Sequence, residues 1–146
     1  MIAPNAATTS IWEKGRRYLI MMVSPAEGMS VGVLDLAARN GLRTLAVINQ
    51  DALVPNAVAK GATTLAKGKG LELVYSETYP NGTADFSAIL NKVKVTKPDV
   101  LVLASIRLED LVAATKQITA VRLSEKETRE NPLVSVASGE KWTVST

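Results

Sequence analysis

Two short polar segments carry the side chains of this sequence that are best suited to binding a small molecule. They are Asn49-Gln50-Asp51 and Ser105-Ile106-Arg107, and each directly follows an apolar run. Amides and carboxylates exchange hydrogen bonds with polar solutes, and a guanidinium can hold a carboxylate through two parallel hydrogen bonds. The chemistry that they predict is recognition of a small polar molecule.

Catalytic chemistry finds little support. The chain has no Cys and no His, which removes thiolate nucleophiles, disulfides, the usual zinc sites and the commonest general base. Gly68-Lys69-Gly70 lacks the Ser or Thr and the upstream Gly of a phosphate-binding loop. The sequence therefore predicts no enzyme, no cofactor and no metal site.

A purely structural interpretation stays open for the same polar positions. Asn49, Gln50 and Asp51 are also common turn and helix-start residues, and Ser105 could cap the following helix. Arg107 could be an exposed residue at the start of that helix. Glu109 and Asp110 suit its first turn because carboxylates there complement the helix dipole.

The elements that must position these residues alternate regularly along the chain. Apolar runs predict strands at 18–23, 44–48, 71–79, 100–104 and 133–137, and amphipathic spacing predicts helices at 25–40, 55–67, about 86–97 and 108–120. Thr83 or Asp85 is expected to cap the third helix, and Pro98-Asp99 to end it. The alternation predicts an α/β three-layer sandwich with a parallel, flavodoxin-like or half-Rossmann sheet.

The predicted strand order is 71–79, 44–48, 100–104, 133–137. In such sheets ligands bind beyond the carboxyl ends of the strands, where the strand order reverses. Here that place lies between strands 44–48 and 100–104, which both polar segments follow. The helix residues expected to face the sheet are Met29, Val33, Leu36 and Ala37; Val58, Ala62, Leu65 and Ala66; Phe86, Ile89, Leu90 and Val93; and Leu111, Thr115 and Ile118.

A family resemblance rests mainly on residues 77–105, ETYPNGTADFSAILNKVKVTKPDVLVLAS. A Tyr-Pro turn, Gly-Thr, an Asp-Phe-Ser helix start and a Lys-Pro-Asp end before an apolar strand follow one another there. Residues 3–10, the strand at 18–24 and the stretch 44–79 continue the same order. The chain thus resembles the periplasmic solute-binding proteins of ABC importers, of the branched-chain amino-acid type, over residues 3–117.

The resemblance implies part of the second lobe of a two-lobed type I periplasmic binding protein, which captures an amino acid or similar solute and delivers it to a membrane permease. We therefore expect one α/β domain at 1–146, with a charged connection at 121–132. By motif alignment Val54 and Ile106 occupy positions that are aromatic in many relatives. A periplasmic or extracellular location follows from the resemblance. Residues 1–10 lack the features of a signal peptide, so a cytoplasmic location stays open.

The net charge of +3 and the pI of about 9.3 do not predict nucleic-acid or membrane binding. The Lys and Arg residues lie on predicted helix surfaces and ends, and few aromatic residues are present to stack on bases. A different class of function stays open, namely a module that no longer binds solute and acts by self-association or partner binding. We expect a homodimer through Ile11, Trp12 and Tyr18 or through Trp142, because exposed aromatic residues favour interfaces.

Overall fold

The computed structural model describes residues 2–3, 7–15, 17–18, 20–121 and 133–137, without the side chains of 2, 3, 21, 119–121 and 133–137. The strands are β1 (Ile2–Ala3), β2 (Ile20–Met21), β3 (Thr44–Gln50), β4 (Glu72–Tyr79), β5 (Val100–Ala104) and β6 (Leu133–Ala137). The α-helices are α1 (Val31–Arg39), α2 (Leu53–Gly68), α3 (Ser87–Thr96) and α4 (Leu108–Val121), and short 3₁₀ turns span Thr9–Ile11 and Ala26–Gly28.

A four-stranded sheet with the order β4-β3-β5-β6 forms the centre of the molecule, and every pair in it is parallel. Ile48 of β3 lies opposite Glu77 on one side and Leu103 on the other. The predicted strand order and the central position of β3 are confirmed. The chain moves outward from β3 to β4 and then returns past β3 to β5, so the order reverses between β3 and β5.

Helices cover both faces of this sheet. Successive residues of a strand point to opposite faces, so each central strand packs against both helical layers. Ala46 and Ile48 of β3 belong to the apolar cluster that α3 and α4 cover, whereas Leu45 and Val47 pack with residues of α1 and α2. Strand β5 is buried along its whole length, as expected for a parallel strand between two helical layers. The three-layer α/β prediction is confirmed.

The third predicted helix agrees best with the structure. All four of its expected inward residues are buried: Phe86, Ile89, Leu90 and Val93. Asp85 accepts a hydrogen bond from the Ser87 amide (2.8 Å), so it caps the first turn, whereas Thr83 donates to the carbonyl of Pro80 instead.

The first predicted helix is wrong in two respects. The segment 25–40 divides into the Ala26–Gly28 turn and α1, and Leu36 is 45% exposed whereas Leu34 is fully buried. The buried residues of α1 are therefore Leu34 and Ala37, which face the sheet. In the other helices Leu65 is half-buried and Thr115 is exposed.

The strand predicted at 18–23 is shorter than expected, and it lies outside the main sheet, as the predicted strand order implied. It spans only Ile20–Met21 and pairs in parallel with Ile2–Ala3 in a separate two-stranded sheet. It cannot pair with β3, because β4 and β5 already occupy both edges of that strand. Residues 122–132 and Trp142 lie outside the described residues, so the charged connection and the single domain at 1–146 stay predictions.

The Ala26–Gly28 turn packs directly on helix α2. A Cβ atom on Gly61 would lie 2.5 Å from Cα of Glu27 and 2.6 Å from its carbonyl carbon, both backbone atoms. The Glu27 carboxylate in turn accepts hydrogen bonds from the amide (3.1 Å) and hydroxyl (2.7 Å) of Thr9. Burial opposes ionisation of Glu27, but these hydrogen bonds, one from the Glu27 amide and the charge of Lys60 together outweigh it, so the pKa of Glu27 is lowered.

Asp99 joins the amino ends of β3 and β5. Its Oδ2 accepts hydrogen bonds from the amides of Arg43 and Thr44 and from the Thr44 hydroxyl, each at 2.9 Å. The Asp99 amide donates back to the Thr44 hydroxyl at 2.8 Å. The hydrogen bond from the Arg43 amide is the largest cause that lowers the pKa of Asp99.

We expect Asp99→Asn to lower the free energy of unfolding by about 1–2 kcal/mol at pH 7, because charge-assisted hydrogen bonds are lost. A carboxylate whose folded pKa is lowered stabilises the fold above its unfolded pKa, near 4, and this contribution is lost as the pH falls through the folded pKa. Urea unfolding should therefore give a lower free energy of unfolding for Asp99→Asn than for the unaltered chain at pH 7. This gap should narrow below about pH 4. Asp85→Asn is the control, because the Asp85 carboxylate is exposed and accepts a hydrogen bond from one amide. It should lower the free energy of unfolding by less than Asp99→Asn does. A gap that is independent of pH would contradict this account.

Candidate functional site

Gln50 organises the carboxyl edge of the sheet. It is the last residue of β3 and its side chain is fully buried. Its Oε1 accepts hydrogen bonds from the Ser105 hydroxyl (3.0 Å) and the Ile106 amide (3.1 Å), and its Nε2 donates to Oδ1 of Asn81 (3.0 Å). One side chain thus joins the loops that follow β4 and β5, at the place where the strand order reverses.

Arg107 lies at the rim of this network, with 43% of its side chain exposed. Its Nη1 donates to Oδ1 of Asn81 (3.2 Å), and its Nε lies 3.6 Å from Oε2 of Glu109 and 3.5 Å from Oδ1 of Asp110. The Arg107 amide donates to the hydroxyl of Ser105 (3.1 Å). Ser105 therefore satisfies an amide just before α4, as the structural interpretation of this residue predicted.

The structure separates Asn49 from Gln50, because adjacent strand residues point to opposite faces. Asn49 is buried on the α2 side, where it donates to Oδ1 of Asn56 (2.7 Å) and accepts from the Thr78 hydroxyl (3.3 Å). There it lines a groove of about 310 Å³ between α2 and β4. Asn49 is thus directed away from the Gln50 network.

The remaining predicted site residues are divided among different surroundings. Asp51 is exposed, and its amide donates to the carbonyl of Tyr79 (2.8 Å). Val54 is half-buried against a small apolar cluster that includes Ala26 and Val58. Ile106 is 60% exposed at the rim. The structure therefore brings together Gln50, Ser105, Ile106 and Arg107, and places Asn49 and Val54 elsewhere.

Two residues of this edge, Tyr79 and Asn81, escaped the sequence analysis, and a third, Asp110, was expected only to complement the helix dipole. Tyr79 ends β4, is 1% exposed and packs edge-on against the ring of Phe86, with ring centroids 4.9 Å apart. Asn81 bonds both Gln50 and Arg107, and Asp110 is 4% exposed. The predicted strand order did contain a signal, since it placed the loop after 71–79 at the same edge as the two polar segments.

Charge at this edge is mixed. One guanidinium, that of Arg107, has two carboxylates beside it, since Oε2 of Glu109 and Oδ1 of Asp110 lie within 3.6 Å of its Nε. Among the described residues no group of three or more Asp or Glu side chains is placed to hold a metal ion. The edge is therefore equipped with hydrogen-bonding groups of both kinds and both signs of charge.

Three solved structures of similar shape are each larger than this chain. A substrate-binding protein of an ABC transporter from Sphaerobacter thermophilus superposes with a TM-score of 0.78 at 16% identity, over 94% of this chain and 37% of that one. A solute binding protein from R. palustris in complex with 4-hydroxybenzoate superposes with a TM-score of 0.76 at 20% identity. The superposition covers 94% of this chain and 36% of that one. An amino acid ABC transporter substrate-binding protein from Pseudomonas fluorescens Pf-5 superposes with a TM-score of 0.71 at 18% identity. The superposition covers 91% of this chain and 35% of that one.

At these identities the likeness shows the fold, and the chain spans about a third of the length of these relatives. Among curated proteins, none matches the chain in sequence. A family model for periplasmic binding proteins matches residues 1–136. The chain therefore belongs to the periplasmic binding protein family, and the predicted resemblance is confirmed. Of the helices described, none is long and apolar enough to cross a membrane.

Proposed function

We propose that this chain is a solute-binding component of an ABC importer for amino acids or similar small polar solutes, and that it supplies the solute-facing edge of one lobe. The observation that carries the proposal is the network in which Gln50 joins Asn81, Ser105 and the Ile106 amide at the point of strand reversal. In open parallel sheets this is where ligands bind. Arg107 stands at its rim with part of its guanidinium exposed.

The charges of the edge favour a zwitterionic solute. A lone carboxylate, such as that of benzoate, could bond Arg107 but would also meet the exposed carboxylate of Glu109. An amino acid offers an ammonium group to that carboxylate as well as a carboxylate to the guanidinium. Opposite charges within a few ångströms attract and like charges repel, so the amino acid is the better match.

The family is periplasmic and of a non-enzymatic binding type, and we propose the same for this chain. Its partner in transport would be a membrane permease, to which the loaded protein delivers solute. Capture would involve closure of a second lobe over the edge described here, since burial of a ligand from both sides supplies much of its affinity.

We expect the chain by itself to bind leucine, isoleucine or valine no tighter than about 1 mM, because an edge open to water buries only part of the solute. Calorimetric titration measures the affinity. NMR titration with leucine should shift the amide signals of Ser105, Ile106 and Arg107, and benzoate should shift them less. A micromolar affinity would show that the chain rebuilds an enclosed cleft.

Arg107→Ala is expected to remove the leucine-dependent shifts. The matched control is Arg43→Ala, because Arg43 precedes β3 at the opposite edge of the sheet, and it should leave the shifts unchanged. If leucine shifted no signal at this edge in the unaltered chain at tens of millimolar, the proposed solute class would be wrong.

A second candidate function is favoured by exposed apolar residues. Tyr18, Ile20 and Met22 are 82%, 62% and 68% exposed, and Leu108 is 68% exposed on α4. Apolar surface of this kind often marks a site of association. We propose that self-association through one of these surfaces is the alternative role. Trp12, which the sequence placed in such an interface, is half-buried and has a buried indole nitrogen.

If the chain is a homodimer, light scattering at micromolar concentration should give about twice the monomer mass of 15.5 kDa. Ile20→Ser should then shift the protein toward the monomer if the N-terminal surface is the interface, because a buried Ile contributes about 1.5–3 kcal/mol. Leu108→Ser serves as the counterpart on the α4 surface. A mass near that of the monomer, unchanged on dilution, would exclude the dimer.

A further inference from the structure

Two buried polar atoms near the carboxyl ends of β4 and β5 have no hydrogen-bond partner among the residues that the structure describes. They are the hydroxyl of Tyr79, a residue 1% exposed, and Oδ2 of Asp110, a residue 4% exposed. Buried polar groups in native proteins are nearly always hydrogen-bonded. Both atoms therefore require a partner, and they lie at the edge to which solute binding is assigned above.

Tyr79 belongs to the same buried cluster as Leu111 and Ala114 of α4, the helix that carries Asp110, and its hydroxyl interacts electrostatically with Ser105 and Asp110. Burial raises the pKa of Tyr79, an interaction with Ser105 opposes this, and the charge of Asp110 adds to it. The net effect is an increase, so the hydroxyl stays protonated at neutral pH and has a proton to donate. Its ring is held by the edge-on contact with Phe86.

Of the two neighbours, Asp110 is the better acceptor. The Ser105 hydroxyl already donates to Oε1 of Gln50 and accepts from the Arg107 amide. Oδ2 of Asp110 has no partner and belongs to a carboxylate, and hydrogen bonds to charged acceptors are about twice as strong as neutral ones. A hydrogen bond between the two atoms would satisfy both at once.

We propose that Tyr79 donates a hydrogen bond to Oδ2 of Asp110, and that this buried pair fixes the guanidinium of Arg107 at the solute-facing edge. The other oxygen of Asp110, Oδ1, lies 3.5 Å from Nε of Arg107, which is three residues earlier in the chain. Asp110 thus faces the buried tyrosine with one oxygen and the guanidinium at the rim with the other. Tyr79 and Asp110 are positioning residues, and the part of Arg107 in contacting solute rests on the proposed function.

The first test concerns the free protein and needs no solute. Tyr79→Phe should make the Nε–H proton of Arg107 exchange with water about tenfold faster, because Asp110 loses the hydrogen bond that holds it and a loss of about 1.4 kcal/mol is a tenfold change. Asp110→Asn should do the same. Tyr75→Phe is the matched control, because this hydroxyl of the same strand donates to Glu77, and it should leave the Arg107 signal unchanged.

Arg107 exchange that is unchanged in Tyr79→Phe, with the fold intact by circular dichroism, would overturn the proposal. The unaltered chain provides a separate check, since the Tyr79 hydroxyl proton should exchange slowly and lose that protection in Asp110→Asn. A hydroxyl proton that exchanges freely, or one that keeps its protection in Asp110→Asn through Ser105, would also overturn it.

Leucine titration separates this proposal from the proposed function. If both hold, Tyr79→Phe should reduce the leucine-dependent shift of the Arg107 signal at a fixed leucine concentration severalfold, and Tyr75→Phe should not. If leucine produces no shift in any variant while Arg107 exchange responds to Tyr79→Phe, the positioning role stands and the assignment of solute fails. If leucine shifts Arg107 equally in all variants, the solute site stands and the positioning role fails.

Discussion

Replacing Gly61 by Ala is expected to lower the free energy of unfolding by about 2–4 kcal/mol, because the added methyl group would overlap backbone atoms. The new methyl group would lie 2.5 Å from Cα of Glu27 and 2.6 Å from its carbonyl carbon. Ordinary contacts between carbon atoms are about 3.5–4.0 Å. These are backbone atoms that no rotamer change can move, so helix α2 or the Ala26–Gly28 turn must shift.

The matched control lies in the same helix. A Cβ on Gly68 meets nothing within 4 Å, so Gly68→Ala should be neutral or slightly stabilising, because Ala is a better helix former by up to about 1 kcal/mol. Urea unfolding of the two variants measures the difference. If Gly61→Ala were as stable as Gly68→Ala, the close packing of α2 on the turn would be refuted. We also expect Gly61→Ala to loosen the link between Thr9 and Glu27, which depends on the position of that turn.

Phe86→Ala is expected to lower the free energy of unfolding by about 3–5 kcal/mol, the usual range for removing a buried aromatic ring. Phe86 is fully buried, just before α3, and its ring contacts that of Tyr79 edge-on at 84°. Its amide donates to Oε1 of Gln117 on α4 (2.7 Å), so the residue lies where α3, α4 and the end of β4 meet. The cavity would remove contacts from all three.

Phe86→Leu provides the comparison, because it keeps most of the apolar volume and loses only the ring pair. We expect Phe86→Leu to lower the free energy of unfolding by about 1–2 kcal/mol. The lost aromatic contact accounts for roughly 0.5–1.5 kcal/mol of this. Thermal or urea unfolding gives both values. A loss below about 1 kcal/mol for Phe86→Ala would mean that the site collapses around the missing ring. If Phe86 holds the Tyr79 ring in place, Phe86→Ala should also disturb the exchange of the Arg107 Nε–H proton.

Much of the architecture was predictable from local patterns. Strand β5 is an unbroken apolar run, and Phe86, Ile89, Leu90 and Val93 repeat at helical spacing, so both elements can be recognised without knowledge of their neighbours. Right-handed crossovers then restrict how such elements can be arranged. The order β4-β3-β5-β6 followed from these two facts.

The errors arose where packing between distant segments overrides a local pattern. Residues 25–40 have a continuous helical spacing, yet the backbone changes to a 3₁₀ turn at Ala26–Gly28, where it packs on Gly61. The strand predicted at 18–23 has the right composition, but it extends only over Ile20–Met21, where it pairs with Ile2–Ala3. In both cases the deciding contact involves a residue that the local window does not contain.

The sequence by itself determined the fold class, the order of its strands and the edge at which polar groups gather, because apolar periodicity and turn residues are local properties. The family followed from the resemblance of residues 77–105 and their flanking segments. Only the tertiary structure decided which of those polar groups act together. Gln50 bonds Asn81 and Ser105, which are 31 and 55 positions away, whereas its neighbour Asn49 points to the other face. Tyr79 and Asp110 become one buried site for the same reason, since the register of the strands and the placement of helix α4 bring together side chains whose proximity no spacing in the sequence encodes.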